Sequence, residues 1–209
     1  MHMGPKIGVL ALQGAVREHV NMLLKCGATA YPVKWPADLD GLDGLVIPGG
    51  ESTAIGKLIV RYGFDKAIRK FRIQGKAIYG TCAGLIILAK QITEGNQPLL
   101  GLMDIEARRN AYGRQIDSFE ADLFVADLGP QPFRGVFIRA PWIERTLSPR
   151  AEVLAEHEGR IVAARQDKML VTAFHPELTD DTRVHELFLR MIEEPGIEEK
   201  LRHELGAGS

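Results

Sequence analysis

Hydrophobic positions in residues 6–92 follow two alternating rhythms. Residues 6–14, KIGVLALQG, form a short continuous apolar run closed by Gly14, and residues 15–27, AVREHVNMLLKCG, then carry apolar side chains at helical spacing until Gly27 stops them. The same alternation predicts strands over 28–36, 42–50 and 76–80, and helices over 52–63, 64–75 and 83–92. Strands that are apolar throughout and separated by helices predict a parallel sheet covered on both faces.

The texture changes after Gly101. Residues 117–127, DSFEADLFVAD, alternate apolar and polar as a half-exposed strand does, and VFIRAP at 136–141 predicts another strand. Residues 151–174 read as a three-strand meander with turns at EHEG and RQDK, and 179–194 as a closing amphipathic helix with acidic residues in its first turn. The expected fold class is α/β: three layers, with a mostly parallel central sheet, helices on both faces and an antiparallel flank. A single domain is expected over 1–209, with 1–5 a cloning remnant and 197–209 a frayed tail.

Composition narrows the partners. Of 209 residues 45% are hydrophobic, and 26 basic against 27 acidic side chains leave a formal charge of −1. No basic field exists to attract nucleic acid or anionic lipid. The longest apolar runs, such as GLIILA and GLVIPGG, fall far short of the ~20 residues of a membrane-spanning helix. With no apolar leader at the N-terminus, a cytoplasmic location is expected. In that compartment the two cysteines, Cys26 and Cys82, are expected as free thiols. No cysteine and histidine spacing suggests a metal.

Candidate chemistry gathers at the corners. In YGTCAGL, Cys82 stands where the strand over 76–80 becomes a helix, and a G-x-C-x-G corner resembles the elbow that lifts a nucleophile out of an α/β sheet. The helix start offers free amides that lower a thiol's pKa and hold an oxyanion. Taken alone, Cys82 is equally compatible with a small buried hydrophobe. Cys26, at the far end of the first helix, is assigned to packing.

Six histidines could serve such a thiol. His2 and His203 lie in terminal segments and His157 at a turn, while His185 sits among polar neighbours in a helix and His19 reads as solvated or at an interface. His175 differs, because FHPEL follows the apolar strand MLVTAF. Pro176 biases His175 toward an extended conformation, so Glu177, two residues on, projects to the same side and can orient the ring. Gly49 and Gly50 in PGGESTA mark a third corner whose amides could line an anion or carbonyl site. Phosphate-loop and dinucleotide fingerprints both fail, because Glu51 and Leu58 stand where the first needs Gly and Ser or Thr, and GVLALQG lacks the second. Arg109 and Arg139 could each receive a carboxylate.

PGGES, GTCAGL and FHPEL, in this order, resemble the class I (triad) glutamine amidotransferases, a flavodoxin-like fold. With LQGAVREH, EARRNAYGRQIDSFEADL and FIRAP the match narrows to the glutaminase subunits of pyridoxal 5'-phosphate synthase, as distinct from the histidine, purine, GMP and carbamoyl phosphate relatives. The resemblance runs from about Lys6 to Glu194.

It implies hydrolysis of L-glutamine to glutamate and ammonia through a glutamyl thioester. Cys82 would be the nucleophile, His175 the base and Glu177 its support, with an oxyanion hole of the Gly50 and Ala83 backbone amides. Glutamine contacts would fall on Gly50, Glu51, Ser52, Arg109, Ile138 and Arg139. No cofactor is implied. The implied partner is the ribose 5-phosphate-dependent synthase subunit, in a large hetero-oligomer. Activity is expected only once the synthase docks, with the flexible Gly49–Gly50 peptide as the switch and residues 17–19 as the docking surface. The rival readings are a cysteine hydrolase of the DJ-1/PfpI type, which lacks the HPE and PGGES motifs, and a non-catalytic scaffold subunit.

Overall fold

The computed structural model describes residues 4–109 and 118–195. The segments expected as a remnant and a frayed tail therefore lie wholly or mostly outside the described residues.

The first half alternates as its pattern predicts: β1 (Lys6–Leu10), α1 (Val16–Lys25), β2 (Thr29–Val33), β3 (Gly44–Ile47), α2 (Ser52–Arg61), α3 (Phe64–Ile73), β4 (Ala77–Thr81) and α4 (Ala83–Leu88). The second half is strand-rich: β5 (Ala89–Ile92), β6 (Met103–Arg108), β7 (Ser118–Leu123), β8 (Phe133–Ile138), β9 (Trp142–Thr146), β10 (Glu152–His157), β11 (Arg160–Gln166) and β12 (Met169–Thr172), before α5 (Arg183–Glu193). The main sheet runs β2-β1-β3-β4-β12-β11-β9-β6-β5, with β10 paired to β11, and β7-β8 form a separate two-stranded sheet. Pairing is parallel from β2 through β12 and antiparallel across β11, β9 and β6, which is the expected flank.

Helices cover both faces. Tyr79 on β4 meets His19 of α1 and His185 and Phe188 of α5, while a Cβ on the next residue, Gly80, would abut Leu88 of α4. Adjacent strand residues point to opposite faces, so α1 and α5 lie on one side and α4 on the other. The strands between them are buried throughout: every residue of β3, β4 and β12 is inside. Pro32 is tolerated in β2 because that strand is an edge.

Three features depart from the sequence pattern. The helix expected over 83–92 stops at Leu88, because Ala89–Ile92 pairs with β6 instead. Both β6 and β9 escaped prediction, although β6 shows the strict in-out burial alternation of a half-covered strand. Finally, β12 ends the expected meander yet lies inside the parallel part, beside β4, and that placement builds the site. Among the described residues no helix is long and apolar enough to cross a membrane.

Candidate active site

The ends of β3, β4 and β12 lie side by side, because β4 pairs with both its neighbours in parallel register. Thr81 stands opposite Thr172, so Cys82 leaves β4 at the level where β12 runs on to His175, and the Cys82 amide donates to the Thr172 carbonyl at 2.8 Å. Gly49 and Gly50 follow β3 at the same edge. In open α/β sheets this carboxyl edge is where ligands bind.

Cys82 caps α4 with φ 50 and ψ −101, a conformation that non-glycine residues adopt only under local constraint. The constraint is backbone contact. A Cβ on Gly84 would overlap the Ile47 carbonyl oxygen, and one on Gly80 would come within 2.6 Å of the Gly84 backbone. The start of α4 rests directly on the sheet, which leaves Cys82 only the strained corner above it. Arg139, at the end of β8, is a second non-glycine residue with positive φ, at 41.

His175 reaches the thiol from β12. Its backbone amide donates to the Val136 carbonyl of β8 at 2.8 Å, and its ring lies so close to Gly49 that a Cβ there would sit 2.5 Å from Cε1. Nδ1 is 2.7 Å from Glu177 Oε1, which leaves Nε2 for Cys82. Glu177 arrives through a 3-10 turn, Pro176–Leu178, and not through the extended segment the sequence suggests. The turn still brings the carboxylate to the ring.

Burial opposes a charge on His175, but hydrogen bonds to Cys82 and Glu177 outweigh it and push the imidazole up to about 10. Burial likewise opposes ionisation of Glu177, and His19 together with the His175 hydrogen bond reverses this, holding the carboxyl at about 2. Burial in turn lowers His19 from its ordinary value, against the pull of nearby Glu177.

A cavity of about 480 Å³ opens above the thiol. Every residue expected to touch glutamine or form the oxyanion hole lines it: Gly50, Glu51, Ser52, Ala83, Arg109, Ile138 and Arg139, alongside Cys82 and His175. Glu177 stands behind His175, buried. The Glu51 carboxylate is committed locally, since it caps α2 by accepting from the Thr53 and Ala54 amides at 3.0 and 2.7 Å and pairs with Arg109 at 3.6 Å. Ser52 donates to Gln97 at 3.0 Å. Of the motif EARRNAYGRQIDSFEADL, which begins at Glu106, residues 110–117 lie outside the described residues.

Three functional neighbours escaped sequence reasoning. Gln13, at the end of β1, accepts the Glu51 amide at 2.8 Å and lines the cavity. Its signal was a polar side chain between an apolar run and Gly14 at the same sheet edge. His19 and His185 are wholly buried, which corrects both the solvated reading of His19 and the polar surroundings expected for His185. His19 therefore cannot belong to an exposed docking surface, whereas the neighbouring Arg17 side chain is exposed. Each histidine sits on the apolar stripe of its helix, His19 with Met22 and Leu23 and His185 with Phe188, and that spacing marked them as interior. Cys26 is only partly buried, and burial and nearby Glu186 push its thiol up to about 11.

The chain is similar to known proteins over most of its length. The model of the SNO glutamine amidotransferase family matches residues 9–194. Curated relatives named pyridoxal 5'-phosphate synthase subunit PdxT include those of Brevibacillus brevis, 57% identical over 90% of this chain and 98% of the relative, and Bacillus licheniformis, 54% identical over 90% and 94%. The Geobacillus kaustophilus relative is 53% identical over 94% of this chain and all of its own length. A solved structure described as a glutamine amidotransferase superposes with a TM-score of 0.85 at 48% identity, covering 90% of this chain and 99% of that one.

Proposed function

Because the chain belongs to the SNO glutamine amidotransferase family, we propose that it hydrolyses L-glutamine to L-glutamate and ammonia with Cys82, His175 and Glu177, and passes the ammonia to the synthase subunit of a pyridoxal 5'-phosphate synthase. The observation that carries this reading is the buried series Cys82–His175–Glu177, opening on a cavity whose rim holds Arg109 and Arg139.

The Cys82 sulfur, having given its proton to His175 Nε2, attacks the side-chain amide carbon of glutamine and forms a carbon–sulfur bond. The oxygen that takes the electron pair is received by the Gly50 and Ala83 backbone amides. Collapse of this adduct breaks the carbon–nitrogen bond, and the His175 proton leaves with the nitrogen as ammonia. A water then gives a proton to His175 and attacks the thioester, releasing glutamate and returning the thiol. Glu177 holds the ring in one tautomer and balances its charge throughout. The Glu51 carboxylate is occupied at the α2 cap, and Arg109 and Arg139 suit the α-carboxylate of glutamine.

Free ammonia is wasted, so turnover is expected to wait for the partner. The loop that would switch it is tethered: the Gly49 carbonyl accepts from the Ala15 amide at 3.2 Å, and the Glu51 amide is held by Gln13. Both peptide groups flanking Gly50 are thus tied to residues 13–15, just before α1. A partner that moved that segment would change which groups face the cavity.

The test is ammonia release from glutamine with and without the synthase subunit, followed by exposure of the complex to 6-diazo-5-oxo-norleucine. Release that requires the synthase and label confined to Cys82 are expected. Absence of label would overturn the assignment, and equal turnover without the synthase would remove the switch.

A further inference from the structure

Behind the triad lies a second series of buried polar groups that the chemistry above does not use. His19 Nδ1 is 2.9 Å from His185 Nε2, and His19 Nε2 is 3.0 Å from Thr81 Oγ1 and 3.5 Å from Glu177 Oε2. Both rings are wholly buried. Among the described residues, Glu177 Oε2 and His185 Nδ1 have no hydrogen-bond partner.

The proton positions follow from elimination. A hydrogen on His19 Nδ1 would turn a bare Nε2 lone pair toward the Glu177 carboxylate and leave His185 with a buried donor on Nδ1 and nothing to receive it. A hydrogen on His19 Nε2 faces Thr81 Oγ1 at 3.0 Å with Glu177 Oε2 just beyond at 3.5 Å, and His185 then donates from Nε2 to His19 Nδ1. Only acceptors, His185 Nδ1 and Glu177 Oε2, are then left without a partner, and no donor is stranded. Both rings are neutral in this arrangement, in keeping with the direction in which burial drives each of them.

We propose that His19, oriented by His185, is a positioning residue for glutamine hydrolysis: its Nε2–H, 3.5 Å from the inner oxygen of Glu177, places positive charge density beside the carboxylate on which His175 depends. The proposal rests on the Cys82–His175–Glu177 reading above. His175 takes one carboxylate oxygen and His19 faces the other, so Glu177 is gripped from β12 and from α1. Around the pair stand Glu18 on α1, His185 on α5, Tyr79 and Thr81 on β4, and His175. Without the His19 hydrogen, the buried anion is costlier, Glu177 takes up a proton at higher pH, and a protonated Glu177 no longer supports the imidazolium.

The experiment compares His19→Leu and His19→Gln with the unaltered protein, each in complex with the synthase subunit, by the pH dependence of glutamine hydrolysis. In His19→Leu, kcat is expected to fall by about tenfold or more, KM to stay within about twofold, and the acid limb to move to higher pH. His19→Gln, which keeps an N–H in reach of Glu177, recovers most of kcat and returns the limb toward its original position. A folded His19→Leu protein with unchanged kcat and acid limb overturns the proposal, as does a fall in kcat with no movement of the limb.

Nitrogen-15 NMR of histidine side chains in the unaltered chain provides a readout that needs no variant to fold and no activity. Nε2–H on both His19 and His185 is expected, and Nδ1–H on His19 overturns the assignment. Should Cys82→Ala hydrolyse glutamine as well as the unaltered protein, the triad reading fails, while the NMR result still stands or falls separately.

Discussion

The chain's two cysteines stand at opposite ends of helices, and their surroundings diverge from there. Cys26 follows the last turn of α1, where burial and Glu186 push its thiol up to about 11 and its sulfur lies 4.0 Å from the Thr182 carbonyl. Cys82 precedes the first turn of α4 in a strained backbone conformation, beside a histidine that is itself braced by a carboxylate. The residue type is the same. What differs is whether the fold brings a base from a neighbouring strand and forces the backbone corner that presents sulfur to a cavity.

The largest contrast lies in activity. Cys82→Ala is expected to lower ammonia release from glutamine by about 10,000-fold or more in the presence of the synthase subunit. Cys26→Ala should change it by less than about twofold, as a packing substitution away from the site does. Comparable losses from the two would collapse the distinction.

A second contrast concerns the glycines beside each cysteine. Gly84→Ala drives a methyl into the Ile47 carbonyl and is expected to lower stability by about 3 kcal/mol, read as a fall in chemical denaturation midpoint. Gly27, just past Cys26, has φ +81 but open space around it, so Gly27→Ala carries only the conformational strain of about 1 kcal/mol. Equal costs would show that the backbone contact under α4 is softer than it looks.

The smallest effect is in pH. His175 is raised from 6.5 to about 10, so its contribution to stability is complete below pH 6.5 and lost as pH climbs through 10. Glu177 is lowered from 4.5 to about 2, so its contribution is present above pH 4.5 and lost as pH falls through 2. Cys82→Ala removes one support of the imidazolium, and thermal unfolding followed against pH should then show the His175 loss beginning at lower pH. Cys26→Ala should leave that feature where it is.

Much of this was legible in the chain. Short apolar runs between helical segments specified the parallel half, and glycines around Cys82 with a proline after His175 marked two of the three corners, because both are local backbone requirements. The shortened α4 was not legible, since GLIILA is buried on all sides and an all-apolar run looks alike as helix or strand. Nor was the position of β12: its apolar residues say that it is buried, not which neighbour it pairs with. The buried His19 and His185 were hidden for another reason. Their polarity argued for solvent, and only the tertiary contact between α1 and α5 supplies the partners that make burial tolerable.

The Gly84 contact has a consequence for how this protein can change. Because the first turn of α4 meets Ile47 main chain at Gly84, the height of Cys82 above the sheet is set at that point by atoms that every sequence shares. Surrounding core positions can drift in size, and the molecule can gain or lose robustness as they do, while the distance from sulfur to substrate stays the same. Durability and reactivity are thereby written in separate places, and a programme of stabilising substitutions can work through the interior provided it leaves Gly80 and Gly84 alone.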